Sequence, residues 1–199
     1  MSNVSLITGI TGQDGSFLAE QLLKRGDKVI GIVRRTSSPN YWRIQHILKH
    51  SNLDIVEGDI TDLSSMIRLI AEYQPDFLFN LAAQSFVPTS WEQPLLTAQA
   101  TGIGAVNIFE AVRIVHPACR VYQASSSEMF GLQPKGAFQN ESTPFYPRSP
   151  YACAKAYAHQ MAINYRESHG LFISSGILFN HESERRGIQF VTRKITDGV

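Results

Sequence analysis

The feature that most constrains the fold is a glycine-rich turn between an apolar strand and a helix near the N-terminus. Residues 4–8 read Val-Ser-Leu-Ile-Thr and are followed by Gly9, Gly12 and Gly15. Because glycine has no Cβ, the backbone can turn tightly there and approach a bound group. A helix predicted over residues 16–25 would direct its positive dipole end and free N–H groups at the turn. The pattern favours a seat for a pyrophosphate, although its spacing differs from G-x-G-x-x-G and an ordinary loop is the alternative.

Composition narrows the class of protein. A chain of 199 residues with 43% hydrophobic content can bury a sizeable core. Its 18 Lys and Arg balance 17 Asp and Glu, so no nucleic-acid partner is predicted. The uninterrupted apolar runs are short for a membrane span and no secretion signal is visible, which favours a cytoplasmic protein with no membrane partner. Cys119 and Cys153 form neither a disulfide framework nor a metal-ligand pattern, so no metal is expected.

Short apolar segments alternate with longer segments of helical periodicity along the chain. This alternation predicts an α/β fold, a Rossmann-type doubly wound parallel sheet with helices on both faces. The predicted strands cover residues 4–8, 28–33, 53–57, 77–81, 120–124 and 172–178. The predicted helices cover residues 16–25, 41–49, 63–73, 93–115, 151–169 and 190–195, with Gly102 and Gly104 as soft points of the fourth.

The end of the second predicted strand bears on cofactor choice. An acidic residue there would accept a hydrogen bond from the ribose 2′-hydroxyl of NAD, but this chain has Arg34, Arg35 and Ser37. Guanidinium groups suit a 2′-phosphate through bidentate charge-assisted bonds. The sequence therefore favours NADP, with two solvated surface arginines as the alternative.

Two further strand ends carry candidate cofactor contacts. Asp59 and Ile60 follow the third strand, where a carboxylate can accept from the adenine amino group. A helix N-cap is the alternative role for Asp59, and Thr61 or Asp62 would fill that role equally well. Small residues after the fourth strand leave room for a cofactor, in a run formed by Leu81, Ala82, Ala83, Gln84 and Ser85.

The most chemically informative residues come later in the chain. Ser126 and Glu128 follow the fifth strand, and Tyr151 and Lys155 lie four residues apart at the start of a helix. Residues at this spacing share a helix face, and a nearby cation lowers the pKa of a phenol towards neutrality. Tyr-x-x-x-Lys alone is common by chance, but its combination with the glycine-rich turn favours a catalytic pair.

Together these residues resemble the extended short-chain dehydrogenase/reductase family, over essentially the whole chain. The resemblance extends to those members that act on the nucleotide sugar GDP-mannose. It rests on five segments, Gly-Ile-Thr-Gly-Gln-Asp-Gly at 9–15, Asn-Leu-Ala-Ala-Gln-Ser at 80–85, Pro-Phe-Tyr-Pro-Arg-Ser-Pro at 144–150, Gly-Ile-Leu-Phe-Asn-His-Glu-Ser at 176–183 and Phe-Val-Thr-Arg-Lys at 190–194.

The resemblance implies an NADP-dependent lyase that converts GDP-mannose to GDP-4-keto-6-deoxymannose. Tyr151 would take the proton of the sugar 4-hydroxyl, while Lys155 holds the ribose and lowers the pKa of Tyr151. Glu128 would remove the C5 proton and help expel the 6-hydroxyl as water; a capping or surface carboxylate is the alternative. Ser126 stands where the family usually has threonine and would hydrogen-bond the 4-oxygen.

Other roles are implied by the resemblance alone. His181 would contact the cofactor, although a purely structural histidine is the alternative. Further cofactor contacts are implied for Gly9, Thr11, Gly12, Gln13, Asp14, Gly15, Arg34, Arg35, Ser37, Asp59, Ile60, the 81–85 run, Tyr151, Lys155 and Arg186. Substrate contacts are implied for Ser85, Ser126, Glu128, Asn180, Val191 and Lys194.

The resemblance also implies an organisation. Residues 1–178 would form the NADP-binding domain with the catalytic residues, and residues 179–199 would begin a smaller nucleotide-sugar domain that continues past Val199. The Arg34-Arg35 loop resembles the segment that reaches a neighbouring subunit, so a homodimer or homotetramer is expected. Two other functions remain open: a nucleotide-sugar epimerase or 4-reductase that needs no C5 base, and a non-catalytic NADP-binding fragment.

Overall fold

The computed structural model describes residues 2–134, 136 and 138–199. Its centre is a parallel sheet of six strands in the order β3-β2-β1-β4-β5-β6. Two halves of three strands meet between β1 and β4, which is the strand order of the dinucleotide-binding fold, so the predicted fold class is confirmed. The strands are β1 (Val4–Thr8), β2 (Lys28–Val33), β3 (Leu53–Glu57), β4 (Phe77–Asn80), β5 (Arg120–Ser126) and β6 (Ile173–Leu178).

Helices cover both faces of this sheet. They are α1 (Gln13–Arg25), α2 (Leu63–Tyr73), α3 (Val87–Glu92), α4 (Pro94–Thr97), α5 (Gly104–Val115), α6 (Pro150–His169) and α7 (Val191–Asp197). A π-helical stretch, Ala98–Ile103, joins α4 to α5 where the glycine soft points were predicted. Ile60 lies 2.9 Å from the position of a Cβ on Gly104, so this glycine permits close packing.

One predicted helix was wrong. Residues 41–49 form successive turns, in which the N–H groups of Ile44 and Ile47 bond the carbonyls three residues earlier. Ile44 is fully buried against α1 while its neighbours at 45 and 46 are exposed. Tyr41, Ile47 and Leu48 pack against the same cluster, so the apolar side chains that predicted the helix are buried by a succession of turns with hydrogen bonds three residues apart. Strand β5 also runs two residues beyond its predicted end, because Ser125 and Ser126 pair with β6.

The helix that runs without a break over Pro94–Val115 is long and apolar enough to cross a membrane by length and composition. Half of its most apolar window is buried inside the fold. Ile108, Phe109 and Val112 of this helix have no exposed surface and pack with α2 and α6 in the larger of two hydrophobic clusters. Its hydrophobicity is thus used for packing against the sheet.

A chain of buried hydrogen bonds crosses the neighbouring strands β1, β4 and β5 near their carboxyl ends. The Thr8 hydroxyl donates to Asn80 Oδ1 (2.7 Å) and accepts from the N–H groups of Leu81 and Ala82 (both 3.1 Å). Asn80 Nδ2 donates to Gln123 Oε1 (2.8 Å) on β5. Since Thr8, Asn80 and Gln123 are at most 2% exposed, the network fixes the strand ends relative to one another.

Replacing Thr8 with valine keeps the shape of the side chain but removes the hydroxyl. Asn80 Oδ1 and two backbone N–H groups then lose their partner in a buried setting, at a cost of roughly 2–4 kcal/mol in the free energy of unfolding. Thr8→Ser keeps the hydroxyl and should cost about 1 kcal/mol for the lost methyl group. Urea unfolding of the two variants checks this expectation, and equal losses for both would contradict it.

Candidate active site

The glycine-rich turn is shaped by close backbone approaches. Gly9 has φ +72°, and a Cβ there would lie 2.9 Å from the backbone nitrogen of Ala82. A Cβ on Gly15 would lie 2.3 Å from the carbonyl oxygen of Gly9. Gly12 is the N-cap of α1 and provides no side-chain acceptor for the first N–H groups of the helix. The turn therefore leaves these donors available to an anionic group.

Two cavities meet at this turn, along the carboxyl edge of the sheet. The β2-side cavity has a volume of about 630 Å³ and contains Val33, Arg34, Arg43 and Ile60 in its wall. The β5-side cavity has a volume of about 370 Å³ and contains Ser126, Glu128 and Tyr151 in its wall. Their walls share Gly9, Gly12, Leu81, Ala83, Ser85 and Phe86. An elongated ligand can therefore run from one cavity to the other across the turn.

The structure distributes the predicted site residues among these cavities and the surface. Those in the wall of the β5-side cavity are Gly9, Gly12, Gln13, Asp14, Gly15, Leu81, Ala83, Ser85, Ser126, Glu128, Tyr151, Lys155, Asn180, His181, Arg186 and Val191. The β2-side cavity adds Thr11, Arg34, Ile60, Ala82 and Gln84. Four predicted residues lie in neither wall: Arg35, Ser37, Asp59 and Lys194.

Asp59 is engaged in a local turn. Its Oδ1 accepts from the backbone N–H of Thr61 (2.9 Å) and from the Thr61 hydroxyl (2.8 Å). The N-cap of α2 is Asp62, which accepts from the N–H of Ser64 (3.0 Å). Of the alternatives that the sequence left open, the capping role therefore belongs to Asp62.

Lys155 is a buried cation at the floor of the β5-side cavity. Its Nζ donates to the carbonyl oxygen of Ala124 (2.7 Å), and the side chain is 5% exposed. Burial lowers the pKa of Lys155 to about 8. Within the part of the chain that the structure describes, no carboxylate forms an ion pair with it. A desolvated amine of this kind is suited to neutral or anionic oxygen atoms of a ligand.

The pKa of Tyr151 differs from the value that the sequence predicted. Its ring centre lies 5.8 Å from Lys155 Nζ, so the two side chains are neighbours. Burial nevertheless raises the pKa of Tyr151; the nearby Ser126 hydroxyl opposes this shift, and the charge of Glu128 adds to it. The expected lowering by Lys155 does not occur: loss of water around the phenolate is the largest effect on the pKa of Tyr151, and it raises that pKa.

Ser126 and Glu128 are positioned by a short 3₁₀ turn, Ser127–Met129, directly after β5. Ser126 caps this turn by accepting from the N–H of Glu128 (3.2 Å). The carboxylate of Glu128 makes no hydrogen bond or ion pair within the described residues. Since Ser126 does the capping and Glu128 is exposed in the cavity wall, its side chain is available to a ligand.

The segment after β6 folds back onto the start of α1. Gln13 Nε2 donates to the carbonyl of His181 (3.2 Å), and the Ser183 hydroxyl donates to Gln13 Oε1 (2.9 Å). His181 Nε2 lies 2.8 Å from Asp14 Oδ1. A hydrogen bond to the carbonyl of Phe179 raises the pKa of His181, and Asp14 adds to this shift. Gln13 and Asp14 therefore hold this segment in the wall of the cavity.

Sequence reasoning missed two arginines that support the same arrangement. Arg185 Nη1 contacts the Ser16 hydroxyl (3.1 Å) and forms an ion pair with Glu20 on α1. Arg43 bonds the carbonyl of Arg185 (2.8 Å). These partners lie more than 140 residues apart in the chain, so no local pattern could have indicated the contacts.

Lys155→Met tests the desolvation of the buried amine. The unfolded chain holds the lysine proton more tightly, so the buried lysine destabilises the fold below pH 8 and this penalty fades as the pH rises towards 10.5. We expect the substitution to raise the free energy of unfolding at pH 7 by up to about 3 kcal/mol, and by less near pH 10. Urea unfolding at both pH values, with the exposed Lys49→Met as control, measures the change. Equal differences at the two pH values would contradict the assignment.

Comparison with known proteins shows which family this chain resembles. The model of the GDP-mannose 4,6 dehydratase family matches residues 6–199. A GDP-mannose 4,6-dehydratase of Yersinia enterocolitica is 53% identical over 98% of this chain and 54% of its own length. The GDP-mannose 4,6 dehydratase of Homo sapiens is 48% identical over 99% of this chain and 55% of its own length. The chain thus spans about half the length of the curated relatives it matches.

Solved structures agree with the fold. A dTDP-glucose 4,6-dehydratase from Bacillus anthracis in complex with NAD superposes with a TM-score of 0.87, at 25% identity over 99% of this chain and 61% of that one. The Bordetella bronchiseptica enzyme WbmH in complex with NAD⁺ gives a TM-score of 0.80, at 28% identity over 100% of this chain and 64% of that one. With the family match extending from β1 to the last residue, the chain belongs to the GDP-mannose 4,6-dehydratase family.

Proposed function

We propose that the protein dehydrates GDP-mannose to GDP-4-keto-6-deoxymannose, with NADP as a cofactor that is reduced and reoxidised in each turnover. The observation that carries the proposal is the β5-side cavity, whose wall contains Ser126, Glu128, Tyr151 and Lys155 next to the glycine-rich turn. A phenol, a carboxylate, a lysine amine and the glycine-rich turn are thereby in reach of one ligand. The family match supports the same reaction.

The residues present fit a nicotinamide dinucleotide. Cβ atoms on Gly9 and Gly15 would collide with backbone, so this tight turn, whose free helical N–H groups would bind a pyrophosphate, requires glycine at both positions. Lys155, desolvated and without a carboxylate partner in the described residues, would bind ribose hydroxyls. When bound, the nicotinamide supplies the chemistry of accepting a hydride from C4 and returning it to C6.

Three side chains would handle the protons of the sugar. Tyr151 would accept the proton of the 4-hydroxyl, helped by the nearby Ser126 hydroxyl, which opposes the effect of burial on its pKa. The Ser126 hydroxyl would also bind the 4-oxygen. Glu128 would take the proton at C5, which a 4-ketone acidifies, and pass it to the departing 6-hydroxyl, which leaves as water. When hydride returns to C6, the proton held by Tyr151 would go to C5, so that one water is lost overall. The lack of other partners in the described residues leaves the Glu128 carboxylate free for its proton transfer.

The remaining assignments extend the proposal to cofactor choice, substrate and assembly. NADP rather than NAD is favoured by Arg34 in the β2-side cavity, with the exposed Arg35 and Ser37 on the same loop. Asn180 and Val191 would contact the nucleotide sugar, with Lys194 one turn further along α7. We also propose a cytoplasmic homodimer or homotetramer that uses the Arg34-Arg35 loop, with residues 1–178 forming the cofactor domain and residues 179–199 beginning the substrate domain.

Glu128→Gln in the full-length protein should separate oxidation from dehydration. Without a base for the C5 proton, we expect formation of the 4-keto-6-deoxy product to fall by roughly 10²- to 10⁴-fold. Oxidation at C4 should persist, so reduced cofactor should accumulate in a single turnover. Product analysis and nicotinamide absorbance measure the two steps, and the exposed Glu92→Gln serves as the matched control.

The outcomes distinguish the competing functions. An unchanged dehydration rate in Glu128→Gln would remove Glu128 from the mechanism. Conversion of a nucleotide sugar without loss of water by the unmodified protein would indicate an epimerase or 4-reductase. Cofactor binding without turnover of GDP-mannose or any other nucleotide sugar would indicate a non-catalytic binding protein.

A further inference from the structure

Arg43 is a half-buried cation at the edge of the β2-side cavity that the reaction above does not use. Burial lowers the pKa of its guanidinium. Within the described ranges, 2–134, 136 and 138–199, it forms no ion pair with a carboxylate. A guanidinium that is removed from water and has no anionic partner is energetically unfavourable, since pairing with an anion stabilises a desolvated charge.

The side chain is held in one orientation by three contacts. Its Nε donates to the carbonyl of Arg185 (2.8 Å), and its Nη1 donates to the carbonyl of Thr11 (3.1 Å). The guanidinium carbon also lies 4.3 Å from the ring centre of Trp42. No contact in the described structure engages Nη2. The guanidinium is therefore preorganised and retains donors for a further acceptor.

The position of Arg43 relates it to the ribose of a dinucleotide. Thr11 belongs to the glycine-rich turn, and Arg34 follows the end of β2, where this fold reads the ribose 2′ position. Both arginines line the β2-side cavity, whose described wall contains no Asp or Glu. Arg35, the other arginine of that loop, is not in this wall.

We propose that Arg43, together with Arg34, forms a clamp for the 2′-phosphate of the cofactor and thereby determines the preference for NADP over NAD. The inference rests on the proposed function, because it names a residue that selects the proposed cofactor. A planar guanidinium with free donors fits the oxygens of a phosphate monoester, whereas a 2′-hydroxyl offers it one weak acceptor.

A purely structural role is the competing explanation, since Arg43 also connects the carbonyls of Thr11 and Arg185. The two roles differ in what they do to the two cofactors. Loss of a structural contact would weaken binding of NADPH and NADH alike, because both use the glycine-rich turn. Loss of a phosphate contact would weaken NADPH alone.

The test measures dissociation constants of NADPH, NADH, 2′,5′-ADP and 5′-ADP for the full-length protein by isothermal titration calorimetry. We expect the unmodified protein to prefer NADPH over NADH and 2′,5′-ADP over 5′-ADP. Arg43→Met should weaken NADPH and 2′,5′-ADP by roughly 10- to 100-fold and change NADH by less than about three-fold. Arg43→Lys, which keeps the charge but not the planar fork, should retain part of the preference. Lys49→Met, an exposed charge change in the same segment, should leave all four constants unchanged.

The outcomes distinguish a phosphate clamp from a structural role of Arg43. Equal weakening of NADPH and NADH in Arg43→Met and Arg43→Lys would assign a structural role and overturn the proposal, and so would unchanged binding of both. An unmodified protein that prefers NADPH while the Arg43 variants keep that preference would refute the clamp and leave the proposed cofactor standing. An unmodified protein that prefers NADH would overturn the proposed cofactor itself, and the clamp with it.

Discussion

The buried hydrogen bonds from Thr8 through Asn80 to Gln123 hold the carboxyl edge of the sheet together. The Thr8 hydroxyl also accepts two backbone N–H groups just past β4, which sets the path of the chain there. This path brings the backbone of Ala82 so close to Gly9 that only glycine fits. The shape of the glycine-rich turn thus follows from a polar network in the core, and a rigid edge is what a site needs when its ligand lies across strand ends.

The charges around this edge form a second constraint. Lys155 and Arg43 are desolvated without carboxylate partners in the described chain, whereas the carboxylate of Asp14 at the start of α1 is paired with His181. The carboxylate on the glycine-rich turn is therefore engaged by the protein, and these two basic groups are left for a ligand. Basic groups that are desolvated and unpaired lower the stability of the protein without a ligand, and they favour binding of an anionic dinucleotide.

Much of the fold could be predicted from the sequence. The first three strands have the predicted bounds, and α2 begins and ends where its periodicity indicated. Of the predicted site residues, Arg35, Ser37, Asp59 and Lys194 lie outside both cavity walls, and the roles of all the site residues remain predictions. The helix at residues 41–49 was wrong because turns with hydrogen bonds three residues apart bury the same apolar side chains that a helix would bury. The pKa of Tyr151 is raised instead of lowered, because burial has the largest effect on it. Burial could not be predicted from the spacing of Tyr151 and Lys155 in the sequence.

By itself, the sequence determined the class of fold and the residue types available at each strand end. Both depend on local periodicity and on glycine, whose conformational freedom is a property of the residue. Only the tertiary structure decided which charges are paired, which are desolvated, and that Arg43 faces the same cavity as Arg34. Solvation and pairing depend on contacts such as Gln13 with Ser183 and Arg43 with Arg185, between residues distant in the chain. The glycine-rich turn could therefore be recognised from the sequence, but its charged surroundings arise only when the segment after β6 packs against α1.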